Sequence, residues 1–208
     1  MGIMPVARTS SKGDFKKELS VDELEMLLDI SNIVTSNLEL DEILYSVHSF
    51  LPKLIPHTKS GIFFYHEKTG KITIHSNIGL SEKMLKHFSE NIAYNFLFNK
   101  QLETRRGWRA TDIKPAEEIK QSPYYQSALR PEGILYGIGA PILLEGNMIG
   151  TIHACRPESR RDFSLKDLRM LELVAHQIGI AVKNTLTFEK GLKEKEHIIN
   201  VMEQKVKR

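Results

Sequence analysis

Across 208 residues the sequence holds one cysteine, Cys155, and one tryptophan, Trp108. A lone thiol cannot close an intramolecular disulfide, cannot furnish a four-thiolate zinc or iron–sulfur site, and cannot pair a nucleophilic with a resolving cysteine. A reducing compartment, the cytoplasm, is therefore the expected location. No apolar run approaches the roughly 20 residues that span a bilayer. The stretch Met1-Gly-Ile-Met-Pro-Val6 lacks the apolar core of a signal peptide, and Val6 stands where an acylation signal wants Ser or Thr. Also missing are a Gly-rich phosphate loop, a Gly-x-Ser-x-Gly elbow, a His-Glu-x-x-His helix and a clustered acid pair, so no catalytic residue and no enzymatic activity are expected. Surplus positive charge is scarce in the body of the chain: the net +3 resides in the two ends, and residues 20–188 sum to about −1. A body with no surplus charge cannot neutralise a row of phosphates, which argues against direct nucleic-acid binding.

What is present is ordinary globular composition, 41% hydrophobic and 26% charged, in a length that suits one domain with extensions. Residues 1–19 are polar, carry Pro5 and Gly13, show no periodicity, and read as a flexible leader. Ser20-x-x-Glu23 forms a capping box ahead of Leu24, Leu27, Leu28, Ile30, Val34 and Leu38 at near-helical spacing. A second helix opens at Asp41 and carries Ile43, Leu44, Val47 and Leu51; Pro52 is expected to kink or end it. Residues 61–65 and 72–76 read as a β-hairpin, and residues 81–91 as a helix. The stretch 92–133 is the least regular, with a short helix expected from about Ala116, and a connection of that length reads as a binding loop or lid. A second hairpin, 134–144 and 148–155, turns at Glu145-Gly-Asn147.

The last helix starts near Ser164, carries Leu168, Leu171, Ala175, Ile178 and Val182, and meets no helix-breaking proline thereafter. Running to about residue 206 at roughly 1.5 Å per residue, it would be about 60 Å long and project well beyond its domain. Leu192, Ile199 and Val206, with Phe188 and Met202, continue an apolar stripe that needs a partner helix, most simply from a second copy of the chain. Residues 189–208 are thus expected to be a connector helix, the start of a coiled coil in a homodimer. The element order implies an α+β fold: an antiparallel sheet with the terminal helices on one face and a loop-covered pocket on the other.

The stretch Gly139-Ala-Pro-Ile-Leu-Leu-Glu-Gly-Asn-Met-Ile-Gly-Thr-Ile-His153, followed by Asp162-Phe-Ser-Leu-Lys-Asp-Leu-Arg-Met-Leu-Glu-Leu-Val-Ala-His-Gln-Ile-Gly-Ile-Ala-Val-Lys-Asn184, resembles the closing half of a GAF domain. Leu38-Glu-Leu-Asp-Glu-Ile-Leu44 resembles the family's N-terminal helices, and the likeness covers residues 20–188. Ser122-Pro-Tyr-Tyr-Gln-Ser-Ala-Leu-Arg-Pro-Glu-Gly-Ile-Leu135 is similar to GAF domains that precede a LuxR-type helix-turn-helix module. The resemblance implies a small-molecule or redox sensor that passes its state along the C-terminal helix to an output domain, which would begin about where this chain ends. A ligand-free dimerisation module of a transcription regulator or histidine kinase is the alternative. Phe163-x-x-x-Asp167 is followed by Leu168, where cyclic-nucleotide GAF domains carry an acid, and the 92–133 segment lacks the cysteine of bilin-attaching relatives.

Candidate ligand residues follow. Trp108, Arg109 and Asp112 could stack on a planar group, pair an anion and accept a donor; alternatively Trp108 pins the loop and the other two form a surface pair. Tyr124, Tyr125 and Tyr136 offer an apolar body with a polar tip. His153 and Cys155, two apart on a strand, share one face, either as ligands of a metal or haem or as packing groups. No third ligand lies at short spacing on that strand, so no metal site is expected, and neither ligand nor cofactor is identified. His176 is expected on or beside the core face of the last helix, and His75 half-solvated.

Overall fold

A computed structural model describes residues 19–36 and 39–206, with side chains to residue 195. The leader to residue 18, Leu38, and the side chains of Ile199, Met202 and Val206 lie outside the described residues. Helix α1, Val21–Val34, opens on the expected capping box: the Glu23 amide donates to Ser20 Oγ at 3.2 Å and the Ser20 amide to the Glu23 carboxylate at 2.7 Å. Helix α2, Leu40–Leu54, buries Ile43, Leu44, Val47, His48, Leu51 and Leu54. The helix continues two residues past Pro52 before it ends. The proline forfeits one ladder bond near the helix end on the solvent side, and the Ile55 amide still donates to Leu51 at 2.9 Å.

Strands β1, Lys59–His66, and β2, Lys71–Ile78, form the first hairpin, followed by helix α3, Glu82–Glu90. The 92–133 segment is less irregular than its sequence suggests. Helix α4, Phe96–Thr104, is capped by Asn95, whose side chain accepts from the Phe98 amide at 3.0 Å. Trp108–Arg109 form a two-residue strand β3, and α5, Ala110–Ile113, α6, Ala116–Gln121, and a π-helical turn, Tyr125–Leu129, complete the segment. Helix α6 begins where the short helix was expected, at Ala116, whereas α5 and the π-helical turn, of four and five residues, are too short to display a period in sequence. Strands β4, Tyr136–Leu144, and β5, Asn147–Arg156, turn at Glu145-Gly146, both at positive φ as the tight hairpin turn requires. Helix α7, Leu165–Val206, runs 42 residues.

The antiparallel sheet has the order β2-β1-β5-β4-β3. One face carries Ile62, Ile138, Ala140, Ile142, Ile152 and Ala154, which pack against α1, α2 and the Val174, Ala175, Ile178 side of α7. The other carries Phe63 and Met148 and is covered by Phe88 of α3 and Phe98 of α4. The two-sided α+β arrangement is the one expected. His176 is exposed, because Ala175 occupies the centre of the buried stripe and the next residue turns about 100° away from it. No described helix is long and apolar enough to cross a membrane.

Two glycines of α7 differ in what surrounds them. A Cβ on Gly179 would lie 2.5 Å from the Leu143 carbonyl oxygen, whereas around Gly191 nothing stands within 4 Å. Gly179→Ala is therefore expected to lower the unfolding free energy by about 2 kcal/mol, since backbone must move. Gly191→Ala should raise it by up to about 1 kcal/mol through helix propensity alone. Urea denaturation of the two variants checks the contrast, and equal effects would contradict it.

Candidate ligand-binding cavity

Alternation along β5 sends Ile152 and Ala154 to the helix-bearing face and Thr151, His153 and Cys155 to the other. On that face His153 is flanked across the sheet by Gly61 of β1 and Gly139 of β4. The glycines make its room: a Cβ on Gly139 would stand 2.8 Å from the imidazole and 2.2 Å from Gln101 Nε2. The Thr151 hydroxyl donates to Gln101 Oε1 at 2.5 Å, which turns the amide nitrogen to His153 Nε2 at 3.1 Å. Because Nε2 accepts, the imidazole proton sits on Nδ1. Phe63 and Phe88 stack with centroids 4.2 Å apart and present themselves edge-on to His153. Burial pushes the His153 pKa down to about 3, so the ring is neutral at physiological pH.

Between this face, α3, α4 and the π-helical turn lies a cavity of about 50 Å³, lined mainly by apolar groups such as Phe63, Met84, Phe88 and Leu97. Its polar lining residues are Ser60, Asn95, Tyr124, His153 and Cys155. Burial pushes the Cys155 thiol up to about 12, so at neutral pH it is neither thiolate nucleophile nor thiolate ligand. Tyr124 has the one side-chain oxygen or nitrogen among the described residues that is buried without a hydrogen-bond partner. Its residue is 7% exposed; burial raises its pKa, and the adjacent Asn95 side chain acts in the opposite direction. A π-helical turn places it there: the Arg130 amide reaches back five residues to the Tyr125 carbonyl at 2.8 Å, widening the helix beside Tyr124 and Ala128. Glu132 fastens the end of this segment, accepting from Lys59 of β1 and from the Ser81 hydroxyl that caps α3. Burial raises the Glu132 pKa, but Lys59 and Ser81 outweigh it and hold the carboxyl below its ordinary range.

Of the residues nominated from sequence, Tyr124, His153 and Cys155 meet at this cavity; the other five do not line it. Arg109 spends its guanidinium on both Asp112 oxygens, at 2.8 and 2.5 Å, and on the Phe163 carbonyl at 2.9 Å. Trp108 donates to Thr104 at 2.8 Å, with Lys100 over its ring. These contacts fix the edge strand β3 to α4 and to the start of α7. Tyr125 and Tyr136 pack on a neighbouring cluster of Ala110, Ile119 and Leu135. Gln101, Asn95 and the paired glycines were not nominated. Gly137-x-Gly139 opposite His153-x-Cys155 was the available signal. No cluster of three His, Cys, Asp or Glu suited to a metal occurs among the described residues.

A second polar chain runs on the helix-bearing face. His57 Nδ1 lies 2.6 Å from the Ile55 carbonyl, which can only accept, so that nitrogen carries the proton. It follows that the Ser60 hydroxyl donates to His57 Nε2 at 2.9 Å, His48 Nε2 donates to Ser60 at 2.8 Å, and the Ser76 hydroxyl donates to His48 Nδ1 at 2.7 Å. Burial pushes His48 down to about 4, consistent with the neutral ring that this order requires. His75 is half-buried, with Asp41 at 3.6 Å.

The sequence profile described as GAF domain matches residues 37–183, more than two thirds of the chain. The chain belongs to the GAF domain family. Solved structures share the fold. The GAF domain from a phosphoenolpyruvate-protein phosphotransferase of Coxiella burnetii superposes with a TM-score of 0.62 at 16% identity, covering 81% of this chain and 96% of that one. The phycocyanobilin-bound GAF domain of a cyanobacterial phytochrome gives 0.59 at 12%, covering 79% and 95%. Residues 122 to 287 of a methyl-accepting chemotaxis protein give 0.56 at 18%, covering 74% and 95%. No curated protein matches.

The two buried histidines make this GAF domain acid-sensitive. Their folded pKa values lie below the ordinary 6.5, so the unfolded chain binds protons first, and stability is lost as pH falls below about 6.5. Between pH 7 and 4.5 the loss is expected to be about 2 kcal/mol for each histidine. Chemical denaturation across that window measures it; a flat profile contradicts the neutral, buried assignment.

Proposed function

We propose that this GAF domain is a non-catalytic cytoplasmic sensor. The ligand is a small, largely apolar molecule with one hydrogen-bond acceptor, which enters beneath the π-helical turn and accepts a hydrogen bond from the Tyr124 hydroxyl. The observation that carries the reading is that hydroxyl: a buried donor with no partner, on the wall of an apolar cavity. At about 50 Å³ the cavity falls well short of the roughly 300 Å³ or more typical of ligand pockets, so in this reading binding displaces the segment held by Glu132. The segment's movement shifts the population between two arrangements of α7. That helix then passes the state to an output module in a signalling or transcription-regulatory protein.

The homodimer in this reading is supported by large apolar groups left in water: Val21 and Leu28 of α1, 69% and 63% exposed, and Phe188 of α7, 68% exposed. Under this reading residues 20–188 form the sensing domain and 189–208 the connector. The small size of the cavity favours a second reading, a dimerisation module without ligand. Tyr124→Phe separates the two. Relief of the unpaired hydroxyl should stabilise the unliganded domain by about 1 kcal/mol or more. The same substitution should weaken, by tenfold or more, any small carbonyl-bearing aromatic found by thermal-shift screening. If no such compound stabilises the wild type, or if the variant binds it equally well, the sensing role of Tyr124 is wrong. For the seam, removal of residues 186–208 should convert a dimer to a monomer by light scattering; an unchanged dimer places the interface elsewhere.

A further inference from the structure

A second cavity, of about 420 Å³, lies where the α2–β1 and β5–α7 connections meet, lined by Arg156, Arg160, Arg161, His57, Thr58 and Ser159 together with Pro56. No carboxylate lines it. The nearby acids are engaged elsewhere: Glu158 with Lys120 at 2.5 Å, Asp162 with Thr111 and the Phe163 amide, and Asp167 with Arg156 and the Ser164 amide. Arg160 and Arg161 form no side-chain hydrogen bond or ion pair among the described residues. Arg156, by contrast, is held rigidly: it donates to the Pro56 carbonyl at 2.6 Å, reaches the Asp162 carbonyl at 3.2 Å, and lies 3.9 Å over the Phe163 ring. The arrangement therefore places one fixed and two uncommitted guanidinium groups around a roomy opening furnished with two hydroxyls.

From this geometry we infer a binding site for a small phosphate-bearing anion, distinct from the sensing cavity. Planar guanidinium forks match the oxygens of phosphate, and the unpaired Arg160 and Arg161, beside an Arg156 whose charge Asp167 already opposes, suit a dianion better than a single carboxylate. The Ser159 hydroxyl can orient a further oxygen, while that of Thr58 donates to the Cys155 carbonyl at 3.1 Å. Alternation puts the site on the other side of the sheet from the Tyr124 cavity, since Cys155 faces one way and Arg156 the other. The loop that carries Ser159, Arg160 and Arg161 runs directly into α7, and Arg156 is already tied at 3.3 Å to Asp167 in that helix's first turn. An anion here acts at the origin of the long helix, and through His57 it adjoins the ordered chain Ser60, His48, Ser76.

The site is tested with inorganic phosphate and glycerol 3-phosphate, each against sodium chloride at equal ionic strength, by calorimetry and by amide chemical-shift mapping on the full chain. Saturable one-to-one binding is expected, with the largest shifts at His57, Thr58 and residues 156–161. The double variant Arg160→Ala/Arg161→Ala removes only exposed, unpaired side chains, and its circular dichroism should match the wild type while affinity falls at least tenfold. Binding of glycerol 3-phosphate tenfold tighter than phosphate assigns a phosphomonoester; equal binding assigns the free ion. Shifts scattered over surface lysines without saturation, or equal affinity in wild type and double variant, overturn the proposal. So does a phosphopeptide that binds where both small anions fail.

Discussion

The structure depends on one constraint: the central strand β5 has no solvent face through its middle, so every polar side chain it carries must find a partner inside. Thr151 and His153 find theirs in Gln101, which arrives from α4 and is fully buried. That requirement fixes where α4 lies over the sheet, and it demands glycine at position 139 so that the amide and the imidazole can approach the strand. The neighbouring strand meets the same demand on its other face, where Ser60 joins His48 and His57 in one direction of donation. Both layers of the GAF fold are thus pinned to the sheet by neutral histidines, and not by apolar contact alone.

Against that background of satisfied groups, the Tyr124 hydroxyl stands out. A buried hydroxyl without a partner costs roughly 1–3 kcal/mol, and it is the exception among the described residues. The segment that carries it is bound to the rest through few points, chiefly Glu132 with Lys59 and Ser81 and the packing of Tyr124 and Ala128 on Met84. The opposite face carries α1, α2 and α7 around a continuous apolar core, and the long helix leaves from it.

Much of this order was legible in the residues. The capping box at Ser20 and Glu23, the switch from 3.6-residue to two-residue periodicity at residue 60, and the apolar row of α7 specify their elements locally, and the structure has them. Pro52 falls in the last turn of α2, where a proline on the exposed side costs little. The 92–133 segment misled: its short helices owe their existence to contacts with the sheet, and short helices leave no period to read. Trp108, Arg109 and Asp112 attracted attention as chemistry-bearing types, yet they satisfy one another and their neighbours at the sheet edge. Gln101, an unremarkable residue type in a helix, holds the site's buried network.

The register of the second hairpin shows where local reading stops. Counted outward from the Glu145-Gly146 turn, Gly139 would face Ile152; a bulge between Ile142 and Leu143 slips the ladder by one and sets Gly139 opposite His153. By itself the sequence determined the fold class, the element order outside residues 92–133 and the reach of α7. Tertiary structure alone decided which polar residues meet, because their partners lie about 50 residues apart for Gln101 with His153 and about 100 apart for Arg156 with Pro56. Side-chain period and capping act over a few residues, whereas pairing of buried donors and acceptors is settled only when distant segments exclude water together.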